Sequence, residues 1–231
     1  MACALAVTGI VVAGCAFNSP KETFYTLDAA IAASGADPVT ARAVAAASTI
    51  AVLVESARVL ELVDRPQMVV SIGDAQVVPL EQQRWAEPLR AQIARVVALD
   101  LARVLPSARV STNEDVLDGA DPSKGYRVTL DVQRFETRPG EAVAIEVAWT
   151  VRRVPSGGGS GTGVSGVASA SGVASASGAA ATDVVASGRE RVREPATEPG
   201  YDGVVRAHNR ALASIGRTIA TALRAAAGTG N

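Results

Sequence analysis

Cysteine and histidine are nearly absent from this 231-residue sequence. Both cysteines, Cys3 and Cys15, lie in the N-terminal apolar run, and no thiol follows them. Disulfides and cysteine-based metal sites are therefore excluded from the rest of the chain. The single histidine, His208, likewise excludes a histidine-rich metal site.

Net charge, aromatic side chains and long apolar runs are also scarce. The formal net charge is -1, so the chain lacks the basic excess that a nucleic-acid-binding domain normally carries. Aromatic residues make up 3% of the chain and hydrophobic residues 48%, so alanine and valine must supply most of the core. No apolar run reaches the roughly 20 residues that a membrane-spanning helix needs. The length allows one domain or two small ones.

The N-terminal segment "ALAVTGIVVAG" is apolar and has the length of the hydrophobic region of a signal peptide. The aliphatic Val12 and the small residues Ala13 and Gly14 directly precede Cys15, as in the bacterial lipobox. We therefore predict a signal peptide at 1–14 and a mature chain that starts at Cys15, acylated on its sulfur and its nitrogen. Several acyl chains together give a stable membrane anchor. Ala16, where an Asp would favour inner-membrane retention, favours the outer membrane.

One feature departs from this pattern, because no Lys or Arg precedes the apolar run. Either the translation start lies upstream of Met1, or the segment is a poor signal peptide. The alternative interpretation is a buried strand that ends in Gly-Cys.

Hydrophobic periodicity predicts strands, a helix, further strands and a second helix, an order consistent with one mixed α+β or α/β layer sandwich. The helices are predicted at 86–105 and 201–226. The strands are predicted at 22–27, 49–56, 65–80 (a hairpin turning at Gly73-Asp74), 108–112, 125–137, 142–154 and 183–193. The runs 125–137 and 142–154 both alternate and are predicted to form an antiparallel hairpin, with residues 126, 128, 130 and 132 on one face.

Both predicted helices carry one apolar stripe. In the first helix Pro88 suits the first turn, and Pro106 ends the helix. In the second helix His208 lies on the stripe, which favours a satisfied, semi-buried histidine over a catalytic one. The stripes comprise Trp85, Leu89, Ile93, Val97, Leu101 and Leu105, then Val205, His208, Leu212, Ile215, Ile219 and Leu223.

Two low-complexity stretches interrupt the pattern. The alanine-rich stretch 29–47 is interpreted as a linker or frayed helix. The tract 156–182 contains "GVASAS" twice in tandem, carries no charge and has little to bury, so a disordered insert is predicted. In the resulting organisation, residues 15–47 comprise the lipidated cysteine, a short strand and the linker. Residues 48–228 form one α/β domain that contains the insert.

No catalytic, metal or cofactor motif is found. The sequence has no G-x-S-x-G, and its glycine-rich tract lacks GK[ST]. The carboxylates Asp131, Glu146 and Glu190 are explained as solvated strand residues. Trp85 and Trp149 are interpreted as core residues in preference to sugar-stacking platforms.

Several segments resemble the PqiC/YmbA family of ABC-type transport auxiliary lipoproteins. The most specific are "DRPQ" and "RWAEPL", which occur in the order that family uses. The resemblance covers most of 15–225, apart from 29–47 and 156–182. The segments are "FYTLD" (24–28), "IAVLVESARV" (50–59), "LVDRPQMVV" (62–70), "RWAEPLRAQIARVVALDLARVLP" (84–106), "YRVTLDVQRFE" (126–136), "VAWTVRR" (147–153) and "YDGVVRAHNRALASIGRTIATAL" (201–223).

The resemblance implies a fold and a function. The implied fold is a three-layer α/β sandwich with a mixed, partly antiparallel sheet and two main amphipathic helices, similar to the N-terminal domain of TolB. The implied protein is not an enzyme and needs no cofactor. It is anchored in the outer membrane, faces the periplasm, assembles as a homo-oligomeric ring and serves an MCE-type lipid transport system that maintains envelope integrity. The alternatives are a lipoprotein chaperone or assembly factor for another envelope machine and, less favoured, an enzyme.

The segment "DRPQ" is the candidate partner contact, formed by Asp64, Arg65, Pro66 and Gln67. It lies between a predicted buried strand and a predicted hairpin, where Pro66 restricts the backbone and loop side chains are free to face a partner. The alternative is that Asp64 and Arg65 pair with each other or cap a turn.

Overall fold

The computed structural model describes residues 21–28, 50–154 and 184–228. Four predictions fall outside these residues: the signal peptide 1–14, the acylation of Cys15, the linker 29–47 and the insert 156–182.

Within the described ranges the chain forms nine strands, two α-helices and two short 3₁₀ turns. Every predicted strand is present, and only the two-residue β3 goes beyond the predicted set. Most boundaries shift by one or two residues, but β5 runs five residues past the predicted end at residue 80. The helices are α1 (Leu89–Val104) and α2 (Gly200–Gly228), and the 3₁₀ turns are Glu114–Leu117 and Pro122–Lys124. The strands are β1 (Thr23–Tyr25), β2 (Ile50–Val54), β3 (Arg58–Val59), β4 (Gln67–Ser71), β5 (Val77–Trp85), β6 (Ala108–Ser111), β7 (Gly125–Arg138), β8 (Ala142–Arg153) and β9 (Val184–Pro195).

The strands form two mixed sheets. The small sheet has the order β1-β5-β4, with β1 parallel to β5 and β4 antiparallel to it. The large sheet has the order β6-β2-β7-β8-β9. The short strand β3 also belongs to this sheet and pairs with β7. In the large sheet β2 runs parallel to both neighbours, whereas β7, β8 and β9 are antiparallel. Both hairpins predicted from the sequence are therefore confirmed.

A bulge in β7 decides which of its side chains face the core. The alternating residues of 126–132 are buried on one face, as predicted. The pairing with β8 then shifts between Val132 and Arg134, and the buried positions become Phe135 and Thr137. Because strand side chains alternate, an unbroken ladder would have turned the charged Arg134 inward.

Helix α1 begins later than the predicted residue 86, at Leu89. Strand β5 continues through Trp85, whose backbone N–H donates to the carbonyl of Pro66 at 2.7 Å. Pro88 immediately precedes the helix, since its ring suits the end of an extended segment better than a helix interior. The assignment of Trp85 to the helix stripe was therefore wrong, although the side chain is buried.

Both helices pack against the large sheet and against each other. All other members of the two predicted apolar stripes are buried in one continuous core with the inward residues of β7 and β8. The molecule is a mixed α/β fold with two helices and two mixed sheets, consistent with a three-layer α/β sandwich. The predicted fold class is confirmed.

Candidate partner-binding groove

The segment 64–67 forms one wall of an open groove of about 530 Å³. Strand β1 and the turn from β5 into α1 supply the other walls. Asp64, Arg65 and Pro66 all line this groove, whereas Gln67 is the first residue of β4 and does not. We term it the DRPQ groove; its remaining lining residues are Phe24, Arg84, Trp85, Ala86, Glu87, Pro88 and Arg90.

Backbone hydrogen bonds hold this wall in place. The Asp64 N–H donates to the Leu60 carbonyl at 3.0 Å, and the Pro66 carbonyl accepts the bond from Trp85. The pairing of β4 with β5 is irregular between Gln67 and Met68, directly after this segment. The segment is therefore held at Asp64 by the turn that follows β3 and at Pro66 by strand β5 of the small sheet.

Arg65 is the unpaired charge of the groove. Asp64 Oδ2 lies 2.6 Å from Arg90 Nη2, so Asp64 pairs with the first turn of α1. The alternative pairing of Asp64 with Arg65 is therefore wrong. Arg65 is exposed, and no described residue forms a hydrogen bond or ion pair with it. A guanidinium in this state is available for a carboxylate or phosphate of a partner.

The rest of the groove combines apolar surface with partnered charges. Phe24 is 59% exposed although it is a large aromatic residue. Arg84 pairs with Glu22 at 2.7 Å, and Arg95 pairs with Glu87 at 3.2 Å. Because these pairs are solvent-exposed, they contribute little to stability and more to the local field.

Two buried polar side chains hold the N-terminal segment on both helices. The Leu27 N–H donates to Gln92 Oε1 at 2.6 Å, and the Asp28 N–H donates to Asn209 Oδ1 at 3.2 Å. Gln92 Nε2 in turn donates to the Glu87 carbonyl at 2.7 Å. We refer to this arrangement as the N-terminal clamp. Sequence reasoning missed it, because a polar residue inside a helix gives no sign of a partner 65 residues away.

His208 lies in the core behind the groove. Its Nε2 is 2.9 Å from Thr137 Oγ1, and its ring stacks on Phe135 with centroids 4.2 Å apart. Trp85 meets the same ring edge-on at 6.3 Å, which connects the groove lining to the core. The residue is fully buried, not semi-buried, and its Nδ1 has no partner within the described part of the chain. Burial lowers the pKa of His208 to about 3.

The fold is a mixed α/β domain with an open groove on its surface. Neither of the two helices in the described part is long and apolar enough to cross a membrane. The family model described as "ABC-type transport auxiliary lipoprotein component" matches residues 25–220. The chain belongs to this family, and the resemblance seen in the sequence is confirmed.

Solved structures support the fold. A crystal structure of an uncharacterized protein aligns with a TM-score of 0.60 at 16% identity, covering 87% of this chain and 98% of the other. A protein from Xanthomonas campestris aligns with a TM-score of 0.57 at 16% identity, covering 90% of this chain and 97% of the other. No curated protein matches the sequence significantly. At 16% identity, the structural similarity establishes a shared fold and does not establish a shared function.

Proposed function

We propose that this chain is the non-catalytic, outer-membrane-anchored component of an MCE-type lipid transport system, facing the periplasm and contributing to envelope integrity. The observation that carries the proposal is the family match over residues 25–220, which makes the chain an auxiliary component of an ABC-type transport system. An auxiliary component needs an anchor and a docking surface, and the chain offers a candidate for each.

The candidate anchor is Cys15. The eight residue steps from Cys15 to Thr23 span at most about 29 Å, so an acylated Cys15 would keep β1 and the DRPQ groove near the bilayer. Mass spectrometry of protein extracted from membranes of its native host is expected to show a chain that starts at Cys15 and carries acyl groups. An unmodified chain beginning at Met1 would contradict the anchor.

The candidate docking surface is the DRPQ groove, with Arg65 as its available charge. A protein partner, either the MCE-domain transporter or a neighbouring copy of this chain, would place a carboxylate against Arg65 and apolar side chains against Phe24 and Pro66. Charge complementarity of this kind sets partner choice and association rate.

Co-purification from native membranes tests the proposal. Wild-type chain is expected to capture an MCE-domain protein, and Arg65→Glu to capture several-fold less, because the reversed charge repels the partner's acidic group. Arg193→Glu is the matched control: Arg193 is an exposed arginine on β9, outside the groove lining. Capture of a different envelope machine by wild type would favour the chaperone or assembly-factor alternative. Equal capture by both variants would remove the groove from the proposal.

A further inference from the structure

Exposed apolar side chains of this chain concentrate around one hairpin. Four of the seven large hydrophobic residues exposed in the described part are Leu60, Leu62, Ile72 and Val77. Ile72 and Val77 flank the turn between β4 and β5, and Ile72 is 59% exposed. Leu60, Leu62 and Val77 line a smaller cavity of about 330 Å³ beside that turn. An apolar patch of this kind on a solvent-exposed surface commonly marks an interaction site.

The turn is closed by a backbone hydrogen bond and carries one acidic side chain. The Ile72 N–H donates to the Gln76 carbonyl at 3.0 Å, which closes the turn. Asp74 at its apex is fully exposed, and its one ion pair, to Arg138, is long at 3.8 Å. We define residues 72–77 as the hairpin tip: an apolar projection with a carboxylate at its end.

The hairpin tip and the DRPQ groove lie at opposite ends of the same hairpin. Pro66 precedes the first residue of β4, and Ile72 follows its last. Likewise Val77 begins β5 and Trp85 ends it. Five residues of β4 separate the two surfaces by about 17 Å. The tip of one molecule therefore cannot reach its own groove, and any contact between them joins two molecules.

The two surfaces match in chemistry. The tip offers an exposed isoleucine and a carboxylate, while the groove offers Phe24, Pro66 and the unpaired cation Arg65. The groove, at about 530 Å³, has room for several side chains of a turn. Apolar contact at the centre with a charged pair at the rim is the usual composition of a specific protein interface.

We propose that the hairpin tip of one copy seats in the DRPQ groove of a second copy, with Asp74 against Arg65. Each copy then uses one surface as donor and the other as acceptor, which makes the contact heterologous. Such a contact repeats from copy to copy and forms a closed ring when the rotation closes. This inference rests on the proposed function, which names the transporter and a neighbouring copy as candidate partners of the DRPQ groove. Of these two partners, the inference selects the neighbouring copy.

A charge swap tests the pairing. The full acylated chain, solubilised in mild detergent, is followed by sedimentation velocity at low and high salt. Wild type is expected to form a species larger than a dimer. Arg65→Glu and Asp74→Arg each bring like charges together and are expected to weaken association roughly tenfold or more. The double variant, Arg65→Glu with Asp74→Arg, restores the opposite charges and is expected to recover the wild-type mass.

Mixing variants tests the head-to-tail geometry. Arg65→Glu has a disabled groove and an intact tip, whereas Ile72→Glu has a disabled tip and an intact groove. Neither assembles alone, but an equal mixture is expected to give dimers that grow no further. Leu99→Glu is the control, because Leu99 is an exposed leucine on α1 that lines neither surface. Circular dichroism of each variant separates loss of assembly from loss of fold.

The outcomes are distinguishable. A monomeric wild type, or single variants with the wild-type mass, overturns the inference. Loss of transporter capture by Arg65→Glu at unchanged mass also overturns it and assigns the groove to the transporter, leaving the proposed function intact. Charge-dependent assembly without any MCE-domain partner supports the inference while the proposed function fails.

Discussion

At the scale of single residues, the ionisation of His208 is coupled to folding. Its ring contacts Thr137, Phe135 and Trp85, none of which titrates near neutral pH. Burial lowers the pKa of His208 to about 3, whereas an unfolded histidine titrates near 6.5. Between these values only the unfolded chain binds the proton. The free energy of unfolding must therefore fall as pH falls through that window.

The first prediction concerns this window. Lowering the pH from 7 to about 4.5 is expected to cost the wild-type chain roughly 2.5 kcal/mol through His208 alone. His208→Gln keeps a polar side chain that cannot ionise, so its stability is expected to be lower at pH 7 but less dependent on pH. Urea denaturation of both chains at the two pH values measures the difference. Identical pH dependence in the two chains would contradict the assignment.

Asp100 responds to pH in the opposite direction. Burial raises the pKa of this carboxyl, and the adjacent Arg103, at 2.7 Å, only partly opposes the shift. A raised carboxyl pKa contributes stability at low pH that is lost as pH rises. The comparison of His208→Gln with wild type removes this contribution, because Asp100 is common to both chains.

At the scale of elements, the edge strand β9 has a tight contact at Gly188. Gly188 lies opposite Trp149 of β8, and a Cβ on Gly188 would come within 2.5 Å of the Trp149 ring. A glycine inside a strand often marks such a close approach. Here the missing side chain lets the indole lie across the neighbouring backbone.

The second prediction follows from this contact. Gly188→Ala forces the Trp149 ring to move and is expected to destabilise the fold by about 1–3 kcal/mol. At roughly 2–4 °C per kcal/mol, the thermal midpoint should fall by several degrees. Ser187→Ala is the control, since Ser187 is the exposed neighbour on the opposite face of β9. Equal midpoints for the two variants, measured by circular dichroism, would show that the ring has room to move.

Element positions were largely predictable from the sequence, because hydrophobic periodicity is local. The hairpin of β7 and β8 is confirmed almost residue for residue. The boundary between β5 and α1 was placed too early, since Trp85 falls in step with the helix stripe. Its place in the strand depends on the bond to Pro66 and on the pairing with Tyr25 of β1, which no local pattern reveals. The bulge after Val132 was not predicted either, because it depends on the pairing with β8.

At the scale of the whole molecule, the candidate site was only partly predictable. Segment 64–67 was identified through the family resemblance and through Pro66. Its partners Phe24 and Arg90 come from distant parts of the chain, and only folding brings them together. The same holds for the parallel pairing of β1 with β5, which joins residues 60 positions apart. Local patterns carry no information on such pairings.

The N-terminal clamp has a mechanical consequence. With Cys15 acylated as proposed, a pull from the bilayer enters the domain through β1, whose pairing with β5 would resist it in shear. The bonds of Leu27 and Asp28 then pass the load to Gln92 on α1 and Asn209 on α2. The tether between membrane and domain would therefore be attached to both helices. Because the tether is short, it would restrict how far the domain can tilt away from the bilayer.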